Sequence, residues 1–519
     1  LQQEYTTSES GIKQLSKKIR DNVYSWLFWG VALLIAVSKV IFTLRPEINL
    51  FTEEAQYWLW SQNLEWHYYS KPPLIAVFNK ISTSIFGITE IGVRINAILL
   101  GLGTSWIVFL FSDYLYKSKK IAFWAAILVM CMPFWILFST FHLTDSELVF
   151  FWTLSLYWLY RGLKEQKRTW WILAGLASSF GLMAKSIMIV IGPMVLVYLL
   201  WTRQWNKNKY SFLLFLLLGA IGFLPGFIWN WQNDFITYRH LASLGGVSGS
   251  TEGFQFLTWM ARLGEYLVGQ LAMISVFFIP IFFYSAKSLK LTLDSKTFFI
   301  LLPVFFSWLG FGLLTIFSHI EVNWPAFAYV TLPIFMSKWI SEQSFKWEKV
   351  RNAGIAFSLS LPLIFFLPGV FPLKNIELIK RIERNSFKRL AGYLDLGERI
   401  DFLKDSLVIE QPFIFSETYH MASSLAFYLE DNPQTYAINM GARKNQFDLW
   451  EGIEKYKCVP KKAIFVSWNL DSPDEVTQFE QLLYEENFEV KFRGDSLRTA
   501  RIQVFENLLD YTPVRSHAF

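Results

Sequence analysis

YSWLFWGVALLIAVSKVIFTL, residues 24–44, holds a single charge, Lys39, in a run long enough to cross a bilayer, for which about 20 mostly apolar residues suffice. It is the first of about eleven such runs, at 24–44, 91–112, 121–139, 147–160, 170–184, 186–202, 211–229, 264–286, 297–317, 324–341 and 353–373. A shorter one, 72–86 (PPLIAVFNKISTSIF), contains Asn79 and Lys80 and reads as a helix lying at the interface. The composition agrees. Of 519 residues, 53% are hydrophobic, 17% are charged and 18% are aromatic, with Phe 50, Trp 23 and Tyr 22, and mean hydropathy is +0.30. Length alone would suggest three or four soluble domains at roughly 150 residues each. This composition excludes them and predicts a polytopic α-helical membrane protein with about 11 to 13 spans.

Lys and Arg should fall in alternate loops, those facing the cytoplasm. They are found at Lys13, Lys17, Lys18 and Arg20, then at Lys117, Lys119 and Lys120, at Arg161, Lys164, Lys167 and Arg168, at Arg203, Lys207 and Lys209, at Lys287, Lys290 and Lys296, and at Lys338, Lys346, Lys349 and Arg351. The intervening loops hold the acids Glu47, Glu53, Glu54 and Glu65, then Asp145, Asp234, Glu252 and Glu321. The alternation predicts a cytoplasmic N-terminal tail, 1–23, and makes the first run a signal anchor; Ala36-Val37-Ser38 is a weak cleavage match, and cutting there would break the pattern. The net charge of +6 is accounted for by these loops and needs no nucleic acid. Cys131 lies in an apolar run and Cys458 in a polar region far from it, so neither a mutual disulfide nor a metal cluster is expected.

Beyond about residue 375 charge rises. Short β-branched or aromatic runs, 407–409, 413–415, 463–466 and 502–505, alternate with helical stretches such as 474–486. The expected organisation is a membrane domain, 24–374, with a first external loop at 45–90, followed by a small α/β domain, 375–519, outside the cytoplasm.

The candidate chemistry lies in the outer loops. FTEEAQYWLWSQNLEWHYYSKPPL offers Glu53 and Glu54 at the start of a helix with Thr52 as N-cap, then Tyr57, Trp58, Tyr69 and Lys71. Carboxylates, a lysine and aromatics at one membrane face could handle an anionic headgroup or a sugar; acids on a helix dipole and aromatics at the interface explain the same residues structurally. Asp145 lies at the mouth of the fourth run, where an acid is costly and tends to be functional, though a solvated loop acid is the alternative. Lys185 is the basic residue of its outer turn, where snorkelling to headgroups is equally physical. WNWQNDFITYRHL supplies Arg239 and His240, a pair suited to phosphate, and SHIEVNWPAFAY supplies His319 and Asn323, the latter explicable as a helix cap. No Walker loop, dinucleotide fingerprint or zinc spacing is present. An outer site has no nucleotide supply, so a glycosyl or phosphoryl donor must be membrane-borne. No cofactor is called for; the outer carboxylates and His319 could bind a divalent metal but show no ligand spacing.

The run EEAQYWLWSQ…YYSKPPL resembles the first-loop motif of the GT-C polyprenyl-phosphate-sugar glycosyltransferases, which include protein O-mannosyltransferases and the lipid A aminoarabinose transferase. The likeness continues through TDSELVFFWTLSLYWLYRGL, WWILAGLASSFGLMAKS, PGFIWNWQNDFITYRH, EVNWPAFAY and GARKNQFDLW. It implies a GT-C fold in a bacterial plasma membrane and transfer of a polyprenyl-phosphate-linked sugar, with inversion, to a lipid, glycan or protein acceptor at the outer face. On that reading Glu53 is the base and Glu54 orients it or a neighbouring loop. Lys71, Lys185, Arg239 and His240 receive the donor phosphate, Asp145 holds sugar or acceptor, and Tyr57, Trp58, Tyr69, His319 and Asn323 contact sugar, acceptor or polyprenyl chain. The family opens its motif with Asp-Glu, where this chain has Glu53-Glu54. The aminoarabinose transferase has an arginine and a glutamate where this chain has Gln56 and Ser70, which argues against the lipid A substrate specifically. A polyprenyl-sugar flippase is the alternative; it predicts paired broken helices in two repeated halves, and the sequence shows no such repeat.

Overall fold

Helix formation follows the apolar runs closely. The computed structural model describes residues 2–244, 255–289, 293–366, 377, 381, 385 and 387–514. Its helices are α1 (Gln2–Thr43), α2 (Thr52–Gln62), α3 (Leu74–Phe86), α4 (Glu90–Tyr116), α5 (Lys119–Met130), α6 (Pro133–Phe138), α7 (Thr144–Glu165), α8 (Arg168–Ala184), α9 (Ile191–Trp201), α10 (Trp205–Ile221), α11 (Leu224–Gln232), α12 (Ile236–Leu244), α13 (Phe256–Ile274), α14 (Ile279–Lys287), α15 (Ser295–Leu314), α16 (Leu332–Ser341) and α17 (Phe345–Phe366). Each of the eleven runs falls on a helix or on two successive ones. The end of the last run, the domain boundary expected at 374–375, Glu252 and Lys290 lie outside the described residues.

By length and composition only three of these helices could each cross a membrane, namely Asn22–Thr43, Glu90–Tyr116 and Ser295–Leu314. Two bent pairs, α10 with α11 (44°) and α13 with Val276–Lys287 (83°), raise this to five. This falls short of 11 to 13 for physical reasons. The break at Cys131–Met132 splits the run at 121–139, short 3₁₀ turns precede α9 and α16, α8 stops at 17 residues, and α7 is rich in Trp, Tyr and terminal charge.

The basic loops gather at one end. Lys120 pairs with Glu348 at 3.1 Å, Lys296 donates to the Leu115 carbonyl, and Arg351 stacks on Trp124 at 3.4 Å. The acidic loops meet at the other end, where Asn323 donates to Asp145 and Trp229 to Glu65. Between the two ends one apolar core runs through α4, α5, α7, α15 and α16, with Phe109, Trp152 and Tyr329 almost fully buried.

The C-terminal domain has α18 (Tyr393–Ser406), β1 (Phe413–Ser416), α19 (Tyr419–Tyr428), β2 (Thr435–Ala437), β3 (Ala463–Ser467), β4 (Thr477–Phe492) and β5 (Asp495–Tyr511). The sheet order is β2-β1-β3-β5-β4, with β1 to β3 parallel and β5 antiparallel to both neighbours. Its two faces carry separate cores, one under α18 and α19 with Leu396, Leu425 and Ile464, the other around Phe415, Phe465 and Phe505. Gly392, at φ +87°, turns the chain into α18 where a Cβ would meet Val490 at 2.3 Å.

Two expectations are corrected. Of residues 474–486, the first two close a short 3₁₀ turn and 477–486 form the start of a long hairpin strand, not an α-helix. Glu485 is held by Arg501 at 2.6 Å and Glu486 by the Arg399 fork at 2.6 and 2.7 Å, so pairing overrides the helical preference of the glutamates. Residues 407–409 form the turn after α18 and no strand.

Candidate active site

The loop entering α2 is positioned from below by a buried ion pair. Arg94, in the first turns of α4, and Glu54 both have fully buried side chains, and they meet at 2.8 Å. The guanidinium Nε donates to both Glu54 oxygens at 3.2 and 3.0 Å, and Nη2 to the Asn49 carbonyl at 2.6 Å. Glu54 also accepts from the backbone N–H of His142 at 2.8 Å and of Phe51 at 2.9 Å. All its capacity is spent on structure. Phe51, not Thr52, is the helix cap, because Glu54 three residues on reaches back to the Phe51 N–H.

Glu53, one residue earlier, points the other way. Its side chain is 27% exposed; one oxygen pairs with Arg389 and the other accepts from the Thr52 hydroxyl at 2.7 Å. Arg389 also donates to Thr52 at 2.9 Å and stacks on Phe51 at 4.5 Å. It precedes α18, so the C-terminal domain contributes directly to the environment of Glu53.

Asp145, in the first turn of α7, receives both hydrogen bonds of the Lys185 ammonium, at 2.8 and 2.9 Å, and a longer one from Asn323 at 3.5 Å. Three residues expected at the site thus meet from three segments. Tyr57 lies between the acids. Its hydroxyl is pushed well above the usual tyrosine range by burial, then by the charges of Glu53 and Asp145. Lys71 completes the group, its ammonium lowered to about 8 by burial and by Lys185, with Asp145 and Glu53 opposing that effect. Among the described residues Lys71 makes no ion pair.

Behind Lys71, Tyr69 and His240 lie with rings 4.9 Å apart. Burial, then Arg443 and Lys71, lower His240 to about 4, so the imidazole is neutral near pH 7. The segment after Gly441 docks here. Gln446 Oε1 accepts from the Tyr69 N–H at 2.6 Å, while Gln446, Trp450 and Trp229 all donate to Glu65, at 3.1, 2.6 and 2.7 Å.

Three expected residues are not brought in. Trp58 is corrected to a packing role: α2 turns it toward the C-terminal domain, where it is 1% exposed and meets Phe427 edge-on at 4.9 Å. His319 is exposed beside Glu265 at 3.4 Å. Arg239 follows the helix to the exposed side while His240, the next residue, is buried. Conversely, sequence reasoning missed Arg94, Arg389 and Arg443, together with a buried chain in which His142 links Asn79 at 2.7 Å to Glu147 at 2.9 Å. An arginine inside an apolar run was the one available signal, for Arg94. Among the described residues no three His, Cys, Asp or Glu side chains gather to hold a metal.

A family model described as dolichyl-phosphate-mannose-protein mannosyltransferase matches residues 70–229. Lipid A galacturonosyltransferase RgtD of Rhizobium johnstonii is 25% identical over 351 residues, 66% of this chain and 71% of that protein. Undecaprenyl phosphate-alpha-4-amino-4-deoxy-L-arabinose arabinosyl transferase 2 of Proteus mirabilis is 24% identical over 174 residues, 32% of each chain. In fold, the chain superposes on ArnT from Cupriavidus metallidurans bound to undecaprenyl phosphate with a TM-score of 0.65 at 14% identity, over 96% of this chain and 99% of that one.

Proposed function

We propose that this chain, a membrane glycosyltransferase of the GT-C superfamily, takes its sugar from a polyprenyl phosphate and passes it, with inversion, to a hydroxyl of a lipid A-type glycolipid at the outer face. The observation that carries the reading is the meeting of Glu53, Asp145, Lys185 and Lys71, from three separate segments of the chain, at the end of the helices opposite the basic loops. The relatives named for lipid A galacturonosyl transfer and for undecaprenyl-phosphate arabinosyl transfer support this donor and acceptor class, against the expectation drawn from Gln56 and Ser70.

Of the three acids, Glu53 has the freest lone pairs, since Glu54 is saturated and Asp145 is held by a two-pronged ammonium. In the reaction the acceptor oxygen attacks the anomeric carbon from the face opposite the phosphate. Its proton passes to the Glu53 carboxylate, and the anomeric C–O bond breaks with its electron pair going to the phosphate, which gains a second negative charge. Lys71 stands ready for that charge, and burial strengthens its effect. Asp145, held by Lys185 and Asn323, orients the sugar or acceptor.

The decisive experiment offers the purified protein in lipid nanodiscs radiolabelled undecaprenyl-phosphate sugars of several kinds, with lipid A as acceptor. Label should appear in the lipid A fraction for at least one donor. Translocation of labelled donor across a vesicle membrane without any transfer would overturn the reading in favour of a flippase. The orientation is part of the proposal: the N-terminus is cytoplasmic and the C-terminal domain external. Cys458 is exposed and Cys131 buried, so a membrane-impermeant maleimide added to intact cells should label Cys458. Labelling only after the cells are opened would reverse the topology.

A further inference from the structure

The ground around Lys71 has more positive charge and more unused polar capacity than its own residues can satisfy. Tyr69 is 3% exposed and His240 2%, yet among the described residues the Tyr69 hydroxyl and His240 Nδ1 have no hydrogen-bond partner. Unpaired buried polar groups are rare and costly. Among the described residues neither Lys71 nor Arg443 holds an ion pair. Arg443 nevertheless stands close enough for its charge to depress Lys71 and His240 and to act on Tyr69 and Tyr419. Its nearness is built in, because Gln446, three residues on, is bonded to the Tyr69 N–H and to Glu65. Two cations held near each other beside two idle polar atoms are unfavourable until an anion with several acceptor oxygens arrives.

We propose that Arg443, carried by the C-terminal domain, closes over the phosphate of the polyprenyl carrier, so that the phosphate is gripped by Lys71 and Tyr69 from the first outer loop, by His240 from α12 and by Arg443 from above. This rests on the polyprenyl-phosphate reading and adds a residue from a different domain to it. A guanidinium suits the position, since its planar fork can take two phosphate oxygens at once. With three donors besides Lys71 the site should favour the doubly charged product phosphate over the singly charged donor diester, following the charge that develops as the sugar leaves.

The test is binding of undecaprenyl phosphate to the full-length protein in nanodiscs. Arg443→Ala should weaken binding by about tenfold, Arg443→Lys by less, and binding of undecaprenol, which lacks the phosphate, should not change. Arg443 is exposed and makes no hydrogen bond among the described residues, so the variant should keep its thermal midpoint. The unaltered protein should also lose affinity as pH rises through about 8, where Lys71 gives up its proton. Over this range a phosphate monoester, with a second pKa of about 6, stays fully charged. Burial, Lys185 and Arg443 push the ammonium down while Asp145, Glu53 and the bound phosphate push it up, so the loss in the complex falls at or above that value. If Arg443→Ala binds undecaprenyl phosphate as tightly as the unaltered protein, Arg443 is not in the site. If the unaltered protein binds undecaprenyl phosphate no better than undecaprenol, the polyprenyl-phosphate reading itself falls.

Discussion

Glu53→Gln should lower the transfer rate by about 10² to 10⁴ while leaving donor affinity nearly unchanged. The amide keeps the size of the side chain, but it gives up the ion pair with Arg389 along with the ability to take the acceptor proton, so Arg389→Gln, which removes the same pair and leaves the carboxylate, should lower the rate by much less. Glu53→Asp, which restores the residue usual in the family, should keep part of the activity, because the shorter acid is still held near Arg389. The same swap at Glu54 should act differently: an amide there cannot satisfy Arg94 and two backbone N–H groups together, so loss of activity should come with loss of folded protein. A fully active Glu53→Gln beside a dead but folded Asp145→Asn would move the base to Asp145, or mean that the acceptor arrives already ionised.

The largest effect on stability belongs to Arg94. Removing one partner of a fully buried ion pair leaves an uncompensated charge, at a cost of about 3 to 5 kcal/mol, a large part of the net stability of most domains. Arg94→Met should therefore lower the thermal midpoint sharply and reduce the yield of folded protein. Adding Glu54→Leu removes the stranded carboxylate and should recover part of the loss. Recovery stays incomplete, because the N–H groups of His142 and Phe51 lose their acceptor. A single variant with an unchanged midpoint would mean that this pair does not hold the outer loop.

The membrane part was legible because an apolar run states its own structure: over the described residues every run read from the sequence lies largely on helix. Composition could not show where the runs break, since the bends depend on packing and short 3₁₀ turns. In the C-terminal domain β1, β3 and the core of β5 announced themselves as short apolar stretches. β4 did not, because its glutamates favour helix in isolation and are reconciled with a strand only by Arg399 and Arg501, 87 and 16 residues away. The site divides in the same way. Glu53, Asp145, Lys71 and Lys185 could be named from residue type and loop, but the role of each depends on partners distant in sequence. Glu53 meets Arg389 over 336 residues and Asp145 meets Lys185 over 40. Trp58 shows the reverse: an aromatic next to the acids looks like a sugar platform until the helix phase turns it into a core.

The stitching of the first outer loop has a consequence for how the protein is made. Asn49 receives the N–H groups of Tyr393 and Leu394, Leu50 donates to Tyr428, Glu53 holds Arg389, and Glu65 holds Trp450. A ribosome delivers residues 49–65 to the membrane more than 300 residues before any of these partners exists. The nascent chain can therefore insert its apolar helices and still carry an unfinished loop where the proposed site lies. On the proposed function, activity should begin only when the C-terminal domain docks, so a polypeptide cut short before residue 389 should sit in the bilayer idle and leave the cell's lipid-linked sugar untouched.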